Sequence, residues 1–364
     1  MRYAVILAGG SGTRLWPMSR DRMPKQLIPF IDGKSLLRLA YERLEGLVDD
    51  NRRYVCASRS LREHLLRGVP GLHPERIIAE PMGRDTANAL AYSCLVLSHV
   101  DPDAVVAVFT ADHIIRPESE FRETIRKGFQ TVEKAPATLV TFGVKPTHPA
   151  TGYGYLQLGN QRPDGSWAVQ RFVEKPDERT AAQYFAAGPD RYLWNSGMFV
   201  WKAATFLSNV RRFMPDAASS FDRMSEAWGT QRFAEVVEKE YPSLQKISVD
   251  FAVMEPASRI DTATVSAHRL SADWLDVGSW PSYALTRERD HDGNSCESAR
   301  PLFLGSHDCL VVSDDPSHVV ALLGCSDLVV IHAGDATLVC PRDKAEEVKK
   351  ARAEAVARFG EALG

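Results

Sequence analysis

The 364-residue chain is sparing with cysteine, six in all, and none of them forms a C-x-x-C pair or a Cys/His cluster at metal-ligand spacing. That excludes a disulfide framework and a thiolate zinc site, and leaves buried thiols in a reducing compartment as the expectation. No apolar run approaches the ~20 residues a membrane-spanning helix needs, and the opening stretch Tyr3 to Ala8 is too short for a signal-peptide core. A cytoplasmic protein with no membrane partner is expected. There is little charge bias either: Lys and Arg total 44 against 47 Asp and Glu, a net −3. Without a global basic field, and with only 9% aromatic residues and no basic–aromatic interleaving, nucleic acid is an unsuitable partner, so any anion site must be local. The ten histidines form no triad or metal spacing, no serine sits in a G-x-S-x-G elbow, and no low-complexity segment or long linker interrupts the chain.

What is present is a dense first turn. "LAGGSGTRLWPMSRDRMPKQLIPF" (residues 7–30) follows the apolar strand "RYAVILA" and concentrates three glycines, three arginines and a lysine. Glycine lets backbone N–H groups approach a phosphate with no side chain in the way, and a following helix N-terminus would add partial positive charge. The spacing separates three phosphate-binding devices. A P-loop would need glycine where Ile28 stands ahead of Gly33–Ser35, and the dinucleotide fingerprint would need its third glycine at Leu15. The remaining device, G-G-x-G-T-R-L followed about ten residues on by P-K, is complete as Gly9, Gly10, Gly12, Thr13, Arg14 and Leu15 with Pro24 and Lys25. Leu7 and Ala8 lead into it.

Alternating strand and helix patterns, "SLLRLAYERLEGL" (35–47), "RRYVCAS" (52–58) and "TANALAYSCLVLSHV" (86–100), predict an α/β domain with a Rossmann-like, mixed and mostly parallel sheet. The continuous apolar run "AVVAVFTADHII" (104–115) breaks into Asp112, as a buried strand does at its carboxyl end, where ligands of open α/β sheets sit. From about Thr138, glycine- and proline-punctuated strands predict a second lobe facing the first. After about Arg289 four short strands with turns between them, then a charged helix from Asp343 to about Phe359, predict a small β-rich, solenoid-like C-terminal domain ending in a helix. The domains expected are 1–289 and 290–364.

With these residues in view, the sequence resembles the mannose-1-phosphate guanylyltransferase family of sugar nucleotidyltransferases through nearly all of residues 1–285. "TRLWPMSRDRMPKQ" resembles that family's version of the loop, and "TADHII", "KPTHPATGYGYL", "RFVEKP", "WNSGMF", "SVDFAVME" and "WLDVGSW" follow in the family's order. "EPMGRDTANA" is similar to a family segment that usually carries Asn and Pro where Asp85 and Asn88 stand. The resemblance implies that GTP and mannose 1-phosphate are the substrates and GDP-mannose and pyrophosphate the products. It implies Mg²⁺ held by Asp112 and Asp276, with Arg14 and Lys25 on the leaving pyrophosphate and Lys175 on the sugar phosphate. Gly152, Tyr153, Gly154, Glu174, Asn195, Gly197 and Asp250 are expected at the sugar, and Glu80, Arg84 and Asp85 near the base. A homodimer is also suggested. The same reaction with another hexose 1-phosphate or base remains open at this level, as does a non-catalytic nucleotide-sugar sensor; the complete Lys25, Asp112 and Asp276 set speaks against the latter.

Overall fold

The computed structural model describes the chain except for residues 11, 30, 32, 261–263 and 298–299. It divides into two compact units that interleave along the sequence. One comprises Met1–Gly9, Ala40–Ala111 and Ile115–Trp274, the other Gly10–Leu39, Asp112–Ile114 and Leu275–Gly364.

The first unit is built on a nine-stranded sheet. Its strands are β1 (Arg2–Leu7), β2 (Arg53–Ser58), β3 (Ile77–Glu80), β4 (Val105–Thr110), β6 (Leu139–Val144), β7 (Tyr155–Gln161), β8 (Trp167–Val173), β9 (Tyr192–Lys202) and β10 (Val265–Arg269), while β5 (His113–Arg116) lies outside it. The order is β3-β2-β1-β4-β9-β6-β10-β8-β7. Pairing is parallel from β3 to β4 and between β6 and β10, and antiparallel wherever β9 or β8 is a partner. β1 and β4 are apolar on both faces and buried through their middle, as strands covered by helices on each side must be. The helix Asp85–Val100 buries Ala87, Leu90, Ala91, Cys94 and Leu97, and shares a core with Tyr3, Val5, Val106 and Val108.

Two expectations change here. The strands beyond Thr138 do not form a separate lobe; they extend the sheet that begins with β1, because β9 inserts between β4 and β6 and supplies hydrogen-bond partners to both. The glycine loop does not open a helix either. It runs into a three-residue 3-10 turn, Thr13–Leu15, and Pro17, which has no N–H to donate, follows at once. The next α-helix is Leu36–Glu42, shorter than the periodic stretch 35–47.

The second unit carries β12 (Ser295–Glu297), β14 (Leu310–Ser313), β16 (Leu328–Ala333) and β17 (Ala336–Pro341) in one sheet, and β13 (Arg300–Leu304) with β15 (Val319–Leu323) in another. β12-β14-β16 and β13-β15 are stacked in parallel at nearly equal spacing, the repeat of a β-helix, and the antiparallel β17 closes the larger sheet. A 3-10 segment, Arg342–Glu347, and the helix Val348–Phe359 complete it. Its core joins Leu15, Trp16, Ile28, Ile31 and Leu36 to Trp280, Leu310, Val312, Val329, Ile331 and Val348, so the loop after Gly9 is built on the same apolar centre as the C-terminal strands.

Candidate active site

Gly10 (φ +106°) and Gly12 (φ +58°) take left-handed conformations that other residues adopt at a cost. At Gly12 a second constraint applies. A Cβ there would stand 2.8 Å from both Cβ and Cγ of Lys25, so the lysine stem lies directly against the glycine backbone. Lys25 opens the 3-10 turn Lys25–Leu27 and is 8% exposed. Its Nζ reaches Asp112 Oδ2 at 2.8 Å and Val277 O at 3.2 Å. Asp112 is fixed in turn, its carbonyl accepting from Val277 N–H at 3.1 Å.

Asp276, at the end of the strand β11 (Asp273–Asp276), completes this group. Ser279 caps the helix Trp280–Ala284 just beyond, with Ser282 answering in a capping box, which holds the "DVGSW" turn in place. Ligand atoms of Asp112, His113 and Asp276 lie within 4.8 Å of one another. Burial works to raise the Asp112 carboxyl, but the Lys25 ammonium and His113 outweigh it and hold Asp112 well below the usual carboxylate range. Asp276 goes the other way, pushed up by burial and by the charge of Asp112. Two half-buried carboxylates that repel each other beside the Lys25 ammonium suit a divalent cation, for which a pair of hard oxygen donors is the expected protein contribution. Arg14 stands at the margin. A Cβ on Gly278 would be 3.0 Å from Arg14 Nη2 and 3.4 Å from both Asp276 carboxylate oxygens. Sequence reasoning passes over His113 as a structural residue; its signal is its position next to Asp112.

The expected sugar residues also come together, within the first unit. Glu174 (side chain 8% exposed) pairs with Lys175 at 2.9 Å, and Lys175 takes φ +45°. A Cβ on Gly154 would meet Glu174 Oε2 at 2.5 Å, so the carboxylate lies directly against this glycine and would have to move to admit a side chain there. Asn195 N–H donates to Gly154 O at 2.8 Å. Its amide Nδ2 donates to Asp250 Oδ1 at 3.0 Å, while Thr141, which sequence reasoning misses, donates to its Oδ1 at 2.8 Å. The β6–β9 pairing slips between Thr141/Phe199 and Gly143/Asn195, and Gly197 (φ +68°) lies in the resulting bulge, which turns Asn195 toward Asp250. Asp250 opens a π-helical turn, Asp250–Met254. Burial and the Glu174 charge push its carboxyl up to about 7. Tyr153 packs between Trp194 (centroids 5.0 Å) and Trp274 (5.2 Å), while Gly152 has open space where a Cβ would be.

The residues expected near the base behave differently. Asp85 begins its helix at φ +67°, which Asp tolerates better than most side chains, and accepts from Thr86 N–H at 2.7 Å. Asn88 is buried and donates to Arg84 O (2.7 Å) and Gln245 O (2.8 Å), and Arg84 donates to Pro242 O. Glu80 turns inward at the end of β3, its carboxylate accepting from Tyr241 Oη in a buried pair. Leu7 ends β1, and Ala8 N–H donates to Cys56 O at 2.8 Å, so the strand register carries as far as the first glycine. Gly9 and Thr13 flank the turn; a Cβ on Gly9 would meet no atom within 4 Å, so its backbone is open.

Mixed α/β architecture with a phosphate-suited glycine loop, a buried lysine and a paired-aspartate cluster defines a nucleotidyl transferase, and residues 3–293 match the Nucleotidyl transferase family model. Residues 300–352 match the MannoseP isomerase/GMP-like beta-helix domain. The chain belongs to the mannose-1-phosphate guanylyltransferase family of nucleotidyl transferases. It is 37% identical over 357 residues to a mannose-1-phosphate guanylyltransferase of Klebsiella pneumoniae, covering 96% of this chain and 73% of that one. Against the xanthan biosynthesis protein XanB of Xanthomonas campestris pv. campestris (strain B100) identity is 38%, over 95% and 71%. The crystal structure of a mannose-1-phosphate geranyltransferase from Thermus thermophilus superposes with a TM-score of 0.85 at 32% identity, covering 97% of this chain and 98% of that one.

Proposed function

We propose that the protein forms GDP-mannose and pyrophosphate from GTP and mannose 1-phosphate. The observation that carries this reading is the Lys25–Asp112–Asp276 cluster beside the glycine loop. A phosphate oxygen of mannose 1-phosphate attacks the α-phosphorus of GTP; the new Pα–O bond forms as the bond to the β-phosphate oxygen breaks, and that oxygen leaves with its electron pair on pyrophosphate. No covalent enzyme intermediate and no proton transfer are required, so the chain's task is positioning and charge neutralisation. Arg14 and Lys25 neutralise the pyrophosphate, with the backbone N–H groups of Gly9, Gly10, Gly12 and Thr13 supporting them. Asp112 and Asp276 would hold Mg²⁺, which when bound supplies positive charge to the phosphate oxygens. Lys175 takes the phosphate of mannose 1-phosphate, its exposed ammonium beside Glu174. Glu174 and Asn195 accept and donate to sugar hydroxyls, and Tyr153 offers an aromatic edge near the Gly152–Gly154 turn. Asp250 orients Asn195. Arg84 and Asp85 face the base, with Glu80 behind them through Tyr241.

A reducing cytoplasm is the setting we infer, supported by six cysteines that are all free thiols. No described helix is long and apolar enough to cross a membrane. We also infer a homodimer, supported by exposed Leu302, Leu304, Val319 and Leu323 on the paired strands β13 and β15; sedimentation velocity tests it. The function is tested by pyrophosphate release with Mg²⁺ over four nucleoside triphosphates and the 1-phosphates of mannose, glucose, galactose and fucose. A maximum at GTP with mannose 1-phosphate is expected. A maximum elsewhere keeps the chemistry and replaces the substrate, whereas silence throughout, in protein that still binds a nucleotide sugar, overturns the enzyme reading.

A further inference from the structure

The turn that carries Arg14 is held from several sides within its own unit. Trp16 Nε1 donates to Leu363 O at 2.8 Å, and Trp280 Nε1 donates to Trp16 O at 3.0 Å. Arg20 pairs with Asp335 at 2.6 Å, Arg352 with Asp21 at 2.6 Å, and Ser19 Oγ donates to Gly12 O at 2.6 Å. These contacts hold the backbone on either side of Arg14, so an exchange of its partner requires only rotation of the side chain. Its Nη1 donates to Glu346 at 3.0 Å (Oε2) and 3.2 Å (Oε1). Its Nη2 lies over Gly278, on the side of the Asp276 carboxylate. Glu346 belongs to the 3-10 segment Arg342–Glu347, outside every motif of the nucleotidyltransferase loop.

Exposure decides what this pair can do. The Arg14 side chain is 41% exposed and that of Glu346 64%. An ion pair so open to water is weak and salt-sensitive, and serves poorly as a structural tie. It is readily exchanged for an oxyanion carrying more charge. The segment around Glu346 is itself anchored by buried Ala345 and Val348, so the carboxylate stays available at this place when it is displaced.

We propose that Glu346 is a positioning residue that occupies Arg14 as a surrogate phosphate before nucleotide binds and is displaced by the triphosphate of GTP, thereby setting nucleotide and pyrophosphate affinity. The inference rests on the reading that Arg14 receives the leaving pyrophosphate. The β-helical unit thus contributes to substrate affinity through a side chain as well as by supporting the loop.

Glu346→Gln keeps the shape and removes the charge. It is expected to lower both KM for GTP and the inhibition constant of pyrophosphate by roughly two- to fivefold, with kcat changed less than twofold and KM for mannose 1-phosphate unmoved. The difference from the parent enzyme should shrink at about 1 M salt, where charges are screened within a few ångströms. In an Arg14→Ala background the Gln substitution should have no effect on either constant, the signature of a coupled pair. Unchanged constants in Glu346→Gln, or an equal shift with Arg14 removed, overturn the proposal. A purely structural role would instead lower the melting temperature and weaken GTP binding. If Arg14→Ala alone has parental kinetics, the assignment of Arg14 to pyrophosphate falls and the role of Glu346 with it; an impaired Arg14→Ala with a silent Glu346→Gln removes the role of Glu346 alone.

Discussion

Lys25 Nζ and Asp112 Oδ2 lie 2.8 Å apart, the ammonium nearly buried and held a second time by the carbonyl of Val277. This places one fixed positive charge beside the carboxylates that would hold the metal. Lys25→Met keeps the apolar stem and removes the charge. Turnover should fall by roughly 10²- to 10³-fold, the loss typical of a removed preorganised electrostatic contact. Pyrophosphate-release kinetics measure it, with a thermal melt to show that the protein remains folded; near-parental rates in a folded variant would defeat the role given to Lys25.

Gly12 couples backbone to that lysine. Gly12→Ala puts a methyl 2.8 Å from the Lys25 stem and forces an alanine into φ +58°. The strained backbone alone should cost about 1–3 kcal/mol in stability, and the displaced lysine should reduce kcat/KM at least about tenfold. Gly9→Ala, where a Cβ meets nothing within 4 Å, serves as the contrast and should be milder. Equal effects at the two glycines would show that the contact with Lys25 is irrelevant.

Asp250 makes stability depend on pH in an unusual direction. Burial and the charge of Glu174 push its carboxyl up to about 7, from an ordinary value of 3.8. Between those values the native state binds a proton that the unfolded chain has released, so the contribution of Asp250 is fully present below the lower value and is lost as pH rises through about 7. Asp250→Asn, neutral throughout, should therefore flatten this part of the profile: its melting temperature relative to the parent should be higher at pH 8 than at pH 5. Parallel profiles for the two proteins across that range would rule the effect out.

The C-terminal core should be felt at the nucleotide. Leu310 is fully buried in the cluster that contains Leu15 and Trp16. Leu310→Ala should destabilise by about 2–5 kcal/mol and, at a temperature where the variant is still folded, raise KM for GTP by loosening the platform beneath the loop. Denaturant melts and kinetics on the same preparation provide both numbers. A destabilised variant with unaltered GTP kinetics would mean that the loop does not sense this core.

Much of the candidate site was legible in the chain because its chemical pattern is local. Gly9 to Leu15 with Pro24 and Lys25 specify a backbone shape and a pair of charges within one short stretch. Asp112 was marked by the apolar run it ends, and Glu174, Asn195 and Asp250 by motifs whose polar side chains the fold brings together around Gly154. Four of the six C-terminal strands, β14 to β17, were equally plain, since apolar runs of a few residues between turns need only short-range pattern to be recognised, whereas β12 and β13 carry Ser, Glu, Arg and Pro among their few apolar residues and were not anticipated.

The tertiary structure decided what no local pattern encodes. β9 enters the sheet between β4 and β6 because its backbone finds partners on both edges, and nothing in "YLWNSGMFVWK" names those partners. The bulge at Gly197, the contact of Thr141 with Asn195 and the burial of Glu80 against Tyr241 depend on strand register and on which side chains meet across the sheet. The turn after the glycine loop shares a core with β14 and β16, and Arg14 meets Glu346, because apolar groups distant along the chain exclude water together once folded. Sequence alone determined which groups are candidates for the chemistry; packing determined which of them stand within reach of one another.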